Sequence, residues 1–325
     1  MSSTFLDAIR EALHEEFERD PTLLLFGQDV GAYGGAFGAT AGLHERFGSE
    51  RVVDMPLSEA AVLGAACGAA MRGSPAIAEL QFFDFASCAG FDQIVNVAAK
   101  SRYRTGIACP LVVRGPVGAG VRGGPFHSIS PEMWFVGTPG LQVVFPSNPI
   151  DAKGLLKSAI RDPDPVVFLE HKSLYRRSKQ ATRPNSAPIP LGMAQTVRPG
   201  SSAVVLTYGA MVSVCVEAAE RVEAQRECSI RIVDLRTLEP LDSATILGAV
   251  QDTSRVLIVH EGPERGGFAG ELTSMIMDRT FDALDAPVLR VAAANTPVPY
   301  APVLEDVYLP GSFDVVSGIE RLLDW

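Results

Sequence analysis

Two side chains stand where their types and spacing permit acid–base chemistry. Glu59 follows Asp54-Met-Pro-Leu-Ser58 and opens the run Ala60-Ala-Val-Leu-Gly-Ala-Ala-Cys-Gly-Ala-Ala-Met71. Ser58 has the chemistry of an N-cap, which places Glu59 in the first turn of a helix of small residues. A carboxylate held between apolar surfaces has a raised pKa and exchanges a proton near neutral pH. The plainer alternative is that Glu59 only complements the helix dipole, and this segment alone does not separate the two. His127 lies in Gly-Gly-Pro-Phe-His127-Ser-Ile-Ser-Pro-Glu132. A histidine on a Gly-rich loop can give or take a proton, or can be an ordinary surface residue.

Other segments carry weaker signals. Gly118-Ala-Gly-Val-Arg-Gly123 fits G-x-G-x-x-G. A dinucleotide site needs a helix starting inside that motif and an acid ending the next strand. Gly124-Pro125 interrupts any helix and no acid ends Leu141–Phe145, so an NAD-linked oxidoreductase is a poor reading. Glu79-Leu-Gln-Phe-Phe-Asp-Phe85 ends a strand with three aromatics and the polar Gln81. Strand ends of this kind bind ligands in doubly wound folds, although an isolated aromatic cluster is more often core. Gly31-Ala-Tyr-Gly-Gly-Ala-Phe37 reads as turn chemistry of the kind binding loops use, and His260-Glu261 before Gly266-Gly267 as a site edge. No zinc, EF-hand or P-loop pattern is present.

These residues must be positioned by an α/β scaffold. Apolar runs of strand length at Leu23–Phe26, Arg51–Asp54, Ala76–Leu80, Leu111–Arg114, Leu141–Phe145 and Val166–Glu170 alternate with helical patterns. The helices are expected at Thr4–Glu18, Glu59–Arg72, Phe91–Ser101 and Ile150–Ile160. That alternation predicts a doubly wound parallel sheet. The polar, Pro-rich stretch 176–190 has no apolar period and reads as a linker. Beyond it, strands are expected at Ala203–Tyr208, Ile230–Asp234, Val256–His260 and Val288–Ala292. Helices are expected there at Val212–Gln225, Ala244–Val250, Gly270–Thr280 and Phe313–Leu323. The expected plan is a larger domain over 1–175 and a smaller α/β domain over 191–325.

Composition narrows the function classes. The chain has 325 residues and a formal net charge of −10, which suits a small-molecule enzyme or a protein with a basic partner and argues against a nucleic-acid surface. Cys67, Cys88, Cys109, Cys215 and Cys228 lack metal spacing and read as buried free thiols in a reducing compartment. The longest apolar run, Ala60 to Met71, is too short to span a bilayer. The N-terminus passes directly into an amphipathic helix without a targeting pattern, so the expected location is cytoplasmic. Gly64 and Gly68, four apart on one helix face, invite close approach of another backbone.

Taken together, the sequence resembles the β subunits of thiamine-diphosphate-dependent 2-oxoacid dehydrogenases, the decarboxylating components of the pyruvate, branched-chain 2-oxoacid and acetoin dehydrogenase complexes. The resemblance runs nearly end to end. Its motifs are Gly27-Gln-Asp-Val, Tyr33-Gly-Gly, Pro56-Leu-Ser-Glu59, Phe91-Asp-Gln-Ile-Val-Asn96, Arg114-Gly-Pro, His127-Ser, Pro139-Gly-Leu, Ala152-Lys-Gly-Leu-Leu, Arg161-Asp-Pro, Asp234-Leu-Arg-Thr-Leu and His260-Glu261. It implies a transketolase-like architecture: a pyrimidine-binding domain followed by a transketolase C-terminal-like domain. A separate α subunit would hold the diphosphate and Mg2+, in keeping with the lack here of a Gly-Asp-Gly segment with a downstream Asn. Two α and two β chains would assemble, act on a 2-oxoacid and pass the acyl group to a lipoyl acyltransferase core.

By the same resemblance Glu59 corresponds to the glutamate that hydrogen-bonds the aminopyrimidine ring. Phe85 packs on that ring, Gln81 lines its pocket, and His127 assists acylation of the lipoyl group. A structural potassium site maps to Leu111, Ala159, Ile160, Asp162 and Asp164, mainly through backbone oxygens. Gln28, Ile129 and Gly137 depart from common family residues (Glu, Gln and His). The last two lie near the expected site entrance and bear on the substrate and acyl acceptor. The alternatives are a thiamine-dependent carboligase with a non-lipoyl acceptor and a non-catalytic scaffold subunit.

Overall fold

The computed structural model describes residues 3–325, so Met1 and Ser2 of the expected first domain lie outside the described residues. The chain forms two compact units. The first comprises Met1–Val117 with Trp134–Leu191, and the second Gly118–Met133 with Gly192–Trp325. The loop bearing His127, which falls within 1–175 in sequence, therefore clusters with the second unit.

In the first unit six strands run parallel in the order Gln142–Val144, Val166–His171, Leu111–Val117, Ala76–Glu79, Leu24–Gly27 and Val52–Asp54. The three inner strands Val166–His171, Leu111–Val117 and Ala76–Glu79 are buried at every residue, as their unbroken apolar runs predict. Thr4 and Asp7 form a capping box at the start of the helix Phe5–Arg19. That helix lies along Pro149–Arg161, and the pair is laced by Lys153–Glu15 (2.7 Å), Lys157–Glu15 (2.8 Å) and Arg161–Glu16 (2.6 Å).

Two stretches differ from the sequence reading. The helix expected over 91–101 is a π-helical turn at Gln93–Ala98 followed by the short helix Ser101–Thr105. A π turn holds an extra residue and leaves carbonyls short of partners. Here the Gln93 carbonyl accepts the Cys67 thiol (3.7 Å) from the neighbouring helix Glu59–Met71. The Pro-rich stretch 176–190 is bound to the first unit. Lys179–Gln180 pairs antiparallel with Ser3–Thr4. Lys153 and Lys157 donate to the Arg183 and Ser186 carbonyls (3.0 and 2.7 Å), and the Ile189 N–H donates to Gly154 O (3.0 Å). Buried lysines satisfy backbone groups that this segment cannot pair for itself.

In the second unit the strand order is Leu289–Ala293, Val256–Pro263, Ala203–Thr207, Ile230–Asp234, Gln195–Arg198. The first four are parallel and Gln195–Arg198 is an antiparallel edge strand. Its polar, half-exposed residues give no period-2 apolar signal. Val205, Ile232, Leu257 and Val259 from the sheet pack on Ala218 and Val222 of the helix Met211–Glu223 and on Val315, Ile319 and Leu322 of Ser312–Leu323. The helices Ser243–Thr253 and Ala269–Thr280 also lie where the 3.6-residue period places them. All five cysteines are free; Cys67, Cys109 and Cys215 are buried, whereas Cys88 is exposed, contrary to expectation, on the loop after Phe83–Ser87. Among the described residues no helix is long and apolar enough to cross a membrane.

Candidate active site

Parallel strands deliver their carboxyl ends to one edge of a sheet, and the first unit gathers its candidate residues there. Gly27 is in register with both Asp54 and Glu79, so the chain leaving each of these three strands starts from the same edge. Asp29, the helix starting at Glu59, and Gln81 all follow within a few residues. Ser58 is the N-cap of Glu59–Met71, with its Oγ accepting the Ala61 N–H (3.4 Å), and Glu59 is the first helical residue, as the sequence predicts. Glu59 is half-buried. A Cβ on Gly90 would overlap Leu63 Cδ1 and meet Glu59 Cβ at 3.4 Å, so only glycine lets the segment 86–90 pack this closely on the start of the helix. On the same helix Gly68 faces open space.

Gln81 Nε2 donates to Asp29 Oδ2 (2.7 Å). The Gly-rich loop 29–40 is built around this pair. Asp29 has φ +58, its carbonyl accepts the Gly35 N–H (2.7 Å), and Asp54 Oδ1 accepts the Gly31 N–H (2.8 Å). Asp29 was not singled out as a site residue in the sequence; its signal was its place in Gly27-Gln-Asp-Val30. Phe85 is half-buried and meets Phe82 edge-on at 5.8 Å, and Phe82 in turn meets Phe37 at 5.5 Å. The aromatics of 82–85 therefore form a partly open cluster beside Gln81.

Beneath this edge lies a buried charge network that the sequence reading missed. The Arg114 guanidinium donates from Nε and Nη2 to both oxygens of Glu170 (2.6 Å each) and from Nη1 to Glu79, while the Tyr175 hydroxyl donates to Glu170 (2.7 Å). Two carboxylates share one guanidinium, and all four side chains are buried. Burial raises the Glu79 pKa, and the Arg114 charge opposes this without overcoming it. Burial works against the charge on Arg114, but Glu170 and Glu79 outweigh it and raise its pKa. Lys172 Nζ lies 5.5 Å from the centre of the Phe82 ring. The network is legible only in three dimensions, because its members come from three strands and a following helix.

His127 stands in the second unit, half-buried, after the turn Gly124–Phe126, with its N–H donating to Gly124 O (3.3 Å). His260 is fully buried and stacked on Tyr208 (6.4 Å, 7° between planes), with its pKa lowered to about 4 by burial. It is a core residue rather than a site edge. Glu261 beside it accepts the Ala119 N–H (2.6 Å) and so reaches the His127 loop.

The residues mapped to a potassium site occupy one corner of the first unit. Leu111 begins its strand, and Ala159, Ile160, Asp162 and Asp164 lie at the end of Pro149–Arg161. The Cys109 N–H donates to Pro163 O (3.2 Å) and ties the two stretches together. Asp162 Oδ1 accepts the Asp164 N–H (2.9 Å), and Asp164 pairs with Arg102 (2.6 Å). Each carboxylate thus has one partner within this corner. Among the described residues no group of three or more His, Cys, Asp or Glu is placed to hold a metal ion.

Residues 2–178 match the transketolase pyrimidine-binding domain, and residues 192–315 match the transketolase C-terminal domain. Over 325 residues the chain is 44% identical to the 2-oxoisovalerate dehydrogenase subunit beta of Bacillus subtilis (strain 168), with 99% of each chain covered. The chain belongs to the family of 2-oxoacid dehydrogenase β subunits. It is also 42% identical, over 99% of each chain, to the pyruvate dehydrogenase E1 component subunit beta of the same organism. Its fold matches a split-gene transketolase, described as an inactive beta4 tetramer, with a TM-score of 0.82 over 99% of this chain and 98% of that one. At 19% identity that likeness speaks to the fold alone.

The sheet edge thus presents the partly open aromatics of 82–85 and the Glu59 carboxylate at a Ser58-capped helix start. Gln81, already held by Asp29, adds an oriented amide.

Proposed function

We propose that this β chain works with an α chain, in an assembly of two α and two β chains, to decarboxylate a 2-oxoacid on thiamine diphosphate and pass the acyl group to a lipoyl domain. When bound, the cofactor supplies the electron sink that decarboxylation needs. Glu59 would hold a proton at the pyrimidine ring nitrogen, and the bound cofactor would supply the base that activates its own thiazolium carbon. Phe85 packs on the pyrimidine, and Gln81 lines its pocket, oriented through Asp29. His127 gives or takes the proton that opening of the lipoyl dithiolane requires. The α chain contributes the diphosphate and Mg2+ site. Leu111, Ala159, Ile160, Asp162 and Asp164 would hold a structural K+, mainly through backbone oxygens, a hard cation being suited to oxygen donors. Free cysteines throughout support a reducing location such as the cytoplasm.

The observation that carries this reading is the place of Glu59: the first residue of a Ser58-capped helix at the carboxyl edge of a parallel sheet. Glu59→Gln keeps the shape and loses the charge. In the assembled enzyme, hydrogen–deuterium exchange at the thiazolium carbon should slow by about 10²–10⁴-fold, with cofactor affinity changed far less. Exchange at the wild-type rate would return Glu59 to a helix-dipole role.

A further inference from the structure

The loop carrying His127 is held by buried carboxylates of its own unit. Glu305, on the helix Pro302–Tyr308, has no exposed surface. Its Oε1 accepts the N–H of Gly120 (3.1 Å) and of Arg122 (3.2 Å), and its Oε2 accepts the Arg122 guanidinium (2.6 Å). Gly120 and Arg122 both have left-handed backbones (φ +83 and +64), which turns two N–H groups of one short stretch onto a single carboxylate. Glu261 takes the flanking positions, accepting the Ala119 N–H (2.6 Å) and the Ser130 hydroxyl (3.3 Å).

Between these anchors Gly124 lies flat against the ring of Tyr300, five residues before Glu305. It has φ +66, and a Cβ there would overlap the ring. The Gly124 carbonyl then accepts the His127 N–H. A continuous set of contacts thus runs from the segment 300–305 to the backbone of His127. A Gly-rich loop without anchors samples many conformations, whereas charge-assisted hydrogen bonds to a buried carboxylate hold one. Proton transfer is sensitive to displacements of about an ångström.

We propose that Glu305 is a positioning residue for His127, holding the loop Gly118–Ser130 in one conformation so that the imidazole meets the lipoyl group in a fixed place. This rests on the role of His127 proposed above.

The test uses the assembled αβ enzyme with Glu305→Ala, the shape-preserving Glu305→Gln, and Arg122→Ala, which removes the guanidinium and leaves both N–H contacts. Two quantities are measured: amide exchange over 118–128, and acylation of a lipoyl domain beside decarboxylation read with an artificial dye acceptor. Both Glu305 variants should speed amide exchange by about tenfold or more and lower kcat for lipoyl acylation about as much. The KM for the lipoyl domain and the dye-coupled rate should stay within about threefold, and Arg122→Ala should be the mildest variant. Unchanged amide exchange, or equal loss of both activities, overturns the proposal. His127→Ala, assayed alongside, separates the two readings. If it acylates lipoyl domains normally, the role of His127 fails, while amide exchange still decides whether Glu305 anchors the loop.

Discussion

Replacing Arg114 by Met tests the buried network beneath the sheet edge. The substitution keeps a long apolar side chain and removes the cation shared by Glu79 and Glu170. Breaking a buried ion pair by removing one partner costs about 3–5 kcal/mol. The stranded carboxylates limit that cost by taking up protons. Holding one carboxyl neutral at pH 7, against an ordinary value near 4.3, costs about 3.7 kcal/mol. The expected loss is therefore about 4 kcal/mol at pH 7.

Its pH dependence has a definite sign. In the variant the folded carboxyl pKa lies above the unfolded one, so between the two values the folded state binds more protons. Stability then falls as pH rises through that window and returns as pH falls, by up to about 1.4 kcal/mol per unit for one group. The deficit should shrink to about 1 kcal/mol near pH 5. Urea unfolding followed by circular dichroism, with wild type and variant compared at pH 5, 6, 7 and 8, measures this. A second substitution, Glu170→Gln, should restore part of the loss at pH 7. A deficit independent of pH, or below about 1 kcal/mol at pH 7, would refute the account.

The second unit should show acid sensitivity of opposite sign. Burial lowers the His260 pKa to about 4, so the unfolded chain binds the extra proton between about 6.5 and 4 and stability is lost as pH falls through that range. The full effect is about 3 kcal/mol, and urea midpoints of His260→Phe should be flatter over pH 4–6.5 than those of wild type. At the C-terminus Trp325 is 67% exposed rather than packed on its own unit, and Glu271 and Asp278 are exposed on Ala269–Thr280. These groups should form part of a docking surface for a small basic domain of the acyltransferase core. A pull-down at low salt should weaken when Trp325 is deleted and weaken further with added salt; equal capture by both forms would remove Trp325 from that surface.

The repeating order of strands and helices was written in the sequence because it depends on local periodicity. Apolar runs such as Val112-Val113 and Val166-Val167-Phe168 have the composition expected of inner strands in a covered sheet, and both prove fully buried. The helix start at Ser58-Glu59 was legible for the same reason, since an N-cap is a matter of adjacent residues. The motifs also carried the family, because they recur in order along nearly the whole chain. What tertiary structure decided is which distant groups meet. The pairing of Gln81 with Asp29 spans 52 residues, and Arg114 bridges carboxylates 35 and 56 residues away. The loop of His127 belongs to the second unit because Glu261 and Glu305, more than a hundred residues later, accept its N–H groups. Sequence reasoning could not find these anchors, because a glutamate that will be buried against backbone N–H groups has the same local pattern as one that will face water. Only the packed chain, which removes water from Glu305 and must replace its hydrogen bonds, distinguishes the two.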